Sequence, residues 1–115
     1  FIRKERGNLQ RAKLALTDAN LSLKFETRQL ENKIQAAQTE IVSLEKQASL
    51  MRELVRDTGT MLNAEIRLFE AGESSLFLLN TRENTLISSR LSEIAVRNRL
   101  LSAHAKLFET LANPD

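Results

Sequence analysis

The side chains able to do chemistry are few and scattered. His104 is the single histidine. It falls in the same helical row as Arg90 and Arg97, a setting that favours a solvated or inter-helix position over metal ligation. Acid pairs such as Glu40 and Glu45 are not joined by a Glu-x-x-His sequence, the arrangement that builds a di-metal site inside a helical bundle. No Gly-rich phosphate loop or nucleophile motif is present. The absence of cysteine excludes disulfides and thiolate sites without deciding the compartment. Met51 and Met61 fall in apolar rows. The expectation is a chain with no catalytic, cofactor-binding or metal-ligating residue, and not an enzyme.

The composition instead points to long helices. Of 115 residues, 3 are Gly and 1 is Pro, and there is no Tyr or Trp. A sheet-containing domain needs turn residues at regular intervals, and they are missing here. Leu, Ala, Glu, Arg, Lys and Gln, the strong helix formers, dominate. The fold class expected is all-α with very few breaks. With 17 basic and 15 acidic residues, the formal charge of +2 makes no electrostatic case for nucleic acid. The interspersed charges read as a solvated helix face. No run of about 18 apolar residues is present to span a bilayer as a helix. The chain opens on Phe1, Ile2, Arg3 and Lys4 with no signal peptide and no initiating Met, which reads as a piece cut from a larger protein.

Leu9, Leu16, Leu23, Leu30, Ala37, Leu44 and Met51 recur at one heptad interval. A second row, Ile34, Ile41, Ala48, Val55, Leu62 and Phe69, keeps the same spacing. Together they form a coiled-coil seam from about residue 30 to 69. In the earlier part of the chain the second row turns polar, as Lys13, Asn20 and Thr27. Between Gly7 and Ala71 the one interruption is Gly59, which costs about 1 kcal/mol relative to Ala and is tolerable. A first helix over residues 7–70 would reach roughly 96 Å.

Gly72 then offers a left-handed helix terminator, and Ser74 or Ser75 an N-cap. The tip turn is expected at 71–74 and a second helix at 75–112, closed by Asn113 and Pro114. Its apolar rows are Ile87, Ile94, Leu101 and Phe108 and, one residue earlier, Leu79, Leu86, Leu100 and Leu107, with Asn80 and Glu93 as interruptions. That surface is wider than a two-stranded seam requires. A short turn makes the two helices antiparallel neighbours. The second helix then covers residues 35–70 of the first. Leu9, Leu14, Leu16, Leu21 and Leu23 are left without a partner in the chain.

At the turn, the stretch from Arg67 to Asn80 resembles the TolC-like outer-membrane efflux protein family. In that family a long helix ends in an aromatic, two variable residues and Gly, followed by Ser or Thr, apolar residues and Leu-Asp or Leu-Asn. Here those places are held by Phe69, Gly72, Ser74, Ser75, Leu76, Phe77, Leu79 and Asn80. The opening, Phe1 to Gly7, looks like the segment where that family's β-barrel strand hands over to its long periplasmic helix. The order of parts extends the resemblance over nearly the whole chain.

The resemblance implies one protomer's second periplasmic hairpin in a trimeric α-barrel, a tunnel segment of an export channel in the cell outer membrane. Membrane contact would come only through barrel strands outside this chain. The turn, Phe69, Glu70, Ala71, Gly72, Glu73, Ser74, Ser75, Leu76 and Phe77, would be the tip that docks a periplasmic adaptor and, through it, an inner-membrane pump. Gly72 lets a partner's backbone approach, the serines donate and accept, and Phe69, Leu76 and Phe77 supply apolar anchor area. On chemistry alone the same residues also suit a simple tight turn. Where many family members carry an acid after the tip, this chain has Asn80. That argues against an acidic ring from this segment and leaves Glu70 and Glu73 as the tip's charge. Two other functions fit a long hairpin: the helical hairpin of a periplasmic adaptor, and a generic coiled-coil spacer or dimerisation module.

Overall fold

The computed structural model describes residues 2–113. It is a two-helix hairpin: α1, Ile2–Glu70, and α2, Leu76–Ala112, joined by a short turn. The molecule measures 106 × 18 × 15 Å, so its long dimension is the length of α1 itself. No strand occurs among the described residues.

α1 begins at Ile2 rather than near Gly7. One glycine costs a helix about 1 kcal/mol, and the helix formers on either side outweigh it. Glu5 in the first turn also complements the positive end of the helix dipole. The segment likened to a strand hand-over is therefore helical from Ile2, while Phe1 lies outside the described residues. Gly59 interrupts nothing, and α1 passes through it unbroken. At the far end Asn113 closes α2, its backbone N–H donating to the Glu109 carbonyl at 2.8 Å. Pro114, the other stop signal, lies outside the described residues.

The seam keeps strict heptad spacing on both helices. On α1 the covered residues run from Leu30 and Ile34 through Ile41, Leu44, Ala48 and Val55 to Thr58, Leu62 and Glu65. On α2 they are Leu79, Arg82, Leu86, Ser89, Glu93, Val96, Leu100, Ala103, Leu107 and Thr110. The best-packed apolar cluster joins Ile41 and Leu44 to Ala103, with Leu100 and Leu107 against it. It sits toward the end of α2, away from the turn.

Three sequence expectations need correction. The row Ile87, Ile94, Leu101 and Phe108 does not enter the seam; all four side chains are exposed. Their place is taken by Arg82, Ser89, Val96, Ala103 and Thr110. Leu86 and Leu100 already point at α1, and a helix can offer one neighbour a face only about two rows wide. Met61, assigned to an apolar core row, is exposed, and so is Phe69 at the tip end of its row. Phe69 stands in the last turn of α1, level with the first turn of α2, where no further layer of the seam follows to cover it.

The uncovered length of α1 is as expected. Thr110 and Lys106 near the end of α2 lie beside Lys33, Ala36 and Ala37. The helix from Ile2 to about residue 32 projects past α2 by roughly 45 Å. Leu9, Leu16 and Leu23, in line with the covered Leu44 and Leu30, are 58%, 64% and 63% exposed.

Candidate docking tip

The turn is built from the ends of both helices. Gly72 has φ 77°, the left-handed conformation that residues with a Cβ disfavour. Its N–H donates to the Phe69 carbonyl at 3.0 Å, and the Glu73 N–H donates to the Leu68 carbonyl at 2.7 Å. This pair of bonds is the Schellman closure, which satisfies carbonyls that the helix end leaves without partners. Nothing lies within 4 Å of the position a Gly72 Cβ would take. The demand for glycine at this place is therefore set by the backbone angle and not by crowding within the chain.

Ser75 is the N-cap of α2. Its backbone is extended and its Oγ accepts from the Leu78 N–H at 3.2 Å. Ser74 takes a different part. It is half-buried, and its Oγ donates to Glu65 Oε2 at 2.9 Å. Of the two serines offered as the N-cap, Ser75 takes that place, while Ser74, offered also as a donor and acceptor for a partner, is turned to Glu65.

Glu65 was missed by the apolar reading, although it continues the row of Leu44 and Met51 by two heptads. It is 7% exposed. Besides Ser74 it receives Arg82 Nε on Oε1 at 3.3 Å, so one carboxylate ties together α1, the turn and α2. One heptad further from the tip, the Thr58 and Ser89 hydroxyls meet at 2.9 Å. No buried side-chain polar atom among the described residues lacks a partner. The one signal available in the sequence was the interruption itself: Thr58 and Glu65 stand where the heptad row predicts apolar residues.

Outward, the tip presents Leu68, Phe69, Leu76 and Phe77, all exposed, Phe77 at 77%. Glu70, Ala71, Gly72 and Glu73 are exposed beside them, as is Asn80. The combination is a group of exposed apolar side chains at the hairpin end, edged by two acids. It is suited to burying apolar area against a partner. Among the described residues no cluster of His, Asp and Glu is placed to hold a metal ion, and His104 is exposed. No described helix is long and apolar enough to cross a membrane. The chain matches no family model, no curated protein and no solved structure.

Proposed function

We propose that this chain is a wall segment of a helical export tunnel, the periplasmic hairpin of an outer-membrane efflux channel of the TolC-like kind. Its turn, Phe69 to Phe77, docks a periplasmic adaptor that leads to an inner-membrane pump. The observation that carries this reading is a second heptad row on α2. Ile87, Leu91, Ile94, Leu101 and Phe108 are all exposed, with Asn98 and Ala105 at the intervening places. Each stands two residues before a seam residue, which puts this row about 150° around the helix from the seam. A helix with apolar rows on nearly opposite sides is made for two neighbours, one on each side.

α1 carries a further row of its own. Leu50, Leu54 and Met61 are exposed, each one residue before a covered seam residue, about 100° around from α2, and the exposed Leu68 continues the row toward the turn. A hairpin that stands alone, as the hairpin of an adaptor or a spacer would, needs one apolar face per helix. The additional faces on both helices favour a hairpin set among other helices, and the tunnel wall of a trimeric channel is such a setting. The resemblance of the turn to the tip of that family supplies the rest.

The test is made on the full-length parent protein. Expected is a trimer in the outer-membrane fraction, with cysteines placed at Ile94 or Leu101 cross-linking to a neighbouring helix. A parent protein that fractionates with the cytosol, or one in which these positions label freely with water-soluble thiol reagents, would overturn the reading.

A further inference from the structure

The seam changes character along its length. Toward the end of α2 its buried residues are Ile41, Leu44, Ala48, Val96 and Ala103, all apolar. Toward the turn they are Thr58, Glu65 and Ser89, with Leu86 the one apolar member. Apolar layers resist separation because parting them exposes hydrocarbon to water. Hydrogen-bonded layers resist less, since water replaces most of what is lost once they open. While they stay closed, a buried carboxylate stripped of one partner is costly. The tip half keeps Leu62, Ile66 and Leu79 only half-buried, with Leu86 its one buried apolar residue, so its polar bonds carry more of the closure than in the other half.

We propose that Glu65 is the latch of a tip that opens as a unit, from the Thr58–Ser89 layer to the turn, while the apolar part of the seam stays shut. Three bonds define the unit. Glu65 accepts from Ser74 in the turn and from Arg82 on α2, and Thr58 meets Ser89 at its inner boundary. Arg82 reaches Glu65 from a side chain that is 37% exposed, so water already touches one side of the latch. Gly59 adjoins the boundary layer. A Cβ there would meet nothing within 4 Å, so packing does not call for glycine, and its effect is to weaken α1 where the unit begins. Local opening of a segment with few buried apolar contacts, ahead of global unfolding, is the behaviour such a gradient produces. The device acts within the hairpin and is independent of what the tip meets.

The chain contains no cysteine, so single cysteines report cleanly on opening. Ser89→Cys places a thiol inside the tip unit, and Ala103→Cys places one in the apolar seam. Both are labelled with a neutral thiol reagent under native conditions. The Ser89→Cys protein should react at least about tenfold faster than the Ala103→Cys protein. Ser89→Cys itself removes the Thr58 partner, so the latch is read within each background. Adding Glu65→Gln or Ser74→Ala should speed labelling at position 89 by about fivefold or more and leave position 103 unchanged. Gly59→Ala, which strengthens the helix without touching the latch, should slow labelling at 89 severalfold. Equal rates at the two positions, or acceleration of both by the same factor, would mean that the hairpin parts in one step and would overturn the proposal. So would a Glu65→Gln change that leaves the rate at 89 unaltered.

Discussion

Thr58 and Ser89, 31 positions apart in sequence, set their hydroxyls 2.9 Å from each other in the middle of the hairpin. Each also has a carbonyl of its own helix within reach, Leu54 at 2.9 Å for Thr58 and Leu86 at 2.8 Å for Ser89. A hydroxyl has a single hydrogen, so one of the two donates across the seam while the other donates to its own helix. The pair also marks register. A slip of one heptad would set Thr58 against Val96 and, at the same time, Ser89 against the Glu65 carboxylate. Polar residues in a coiled-coil core specify alignment in this way at some cost in stability.

Ser89→Ala or Thr58→Val alone should therefore destabilise the hairpin by about 0.5–1.5 kcal/mol. The double variant should cost less than the sum and approach the parent, because no hydroxyl is then left without its cross-seam partner. Denaturant titration of the four proteins in a double-mutant cycle measures the coupling. Strict additivity would show that the bond contributes nothing.

The apolar end should dominate stability. Leu44→Ala empties a buried site in the best-packed cluster and should cost about 2–5 kcal/mol. Leu101→Ala, on an exposed face, should change the stability of the isolated chain by no more than about 0.5 kcal/mol. Comparable losses at the two positions would mean that α2 uses its outer face within the chain.

The uncovered stretch of α1 should drive association. Leu9, Leu16 and Leu23 form a long exposed stripe continuous with the seam, and such stripes rarely stay in water. Light scattering should show the chain above monomer mass at high concentration. Leu16→Glu with Leu23→Glu should return it toward monomer without loss of helix. A parent chain that remains a folded monomer would contradict this.

Gly72 should tolerate little. Its φ of 77° makes Gly72→Ala cost about 1 kcal/mol or somewhat more, and Gly72→Asn should cost less because Asn accepts the left-handed region. Since no atom of the chain stands near a Cβ at this place, Gly72→Leu should keep the helix content. In the full-length channel it should abolish export, because the added side chain fills the space a docking partner approaches through. Export is read alongside outer-membrane abundance. Normal export would remove the docking role, and lost abundance would assign Gly72 to folding alone.

Much of this hairpin is written locally. The helix formers, the missing turn residues and the lone strong break at Gly72 determine two helices and the place where they part, because caps and stops act within a few residues of themselves. The heptad rows of α1 from Leu30 to Leu62 likewise mark its seam, and the lack of a partner for Leu9 to Leu23 follows from the lengths of the helices. What the sequence could not decide is which face of α2 meets α1. Two adjacent apolar rows about 100° apart, one through Leu86 and Leu100 and the other through Ile87 and Ile94, are equivalent to any periodicity argument, and only the docked pair separates them. The polar layers were hidden for a related reason. Thr58, Glu65, Arg82 and Ser89 look like interruptions of a core until the two helices come together. A buried hydroxyl or carboxylate is tolerable only beside its partner, and those partners lie 17 and 31 positions away along the chain.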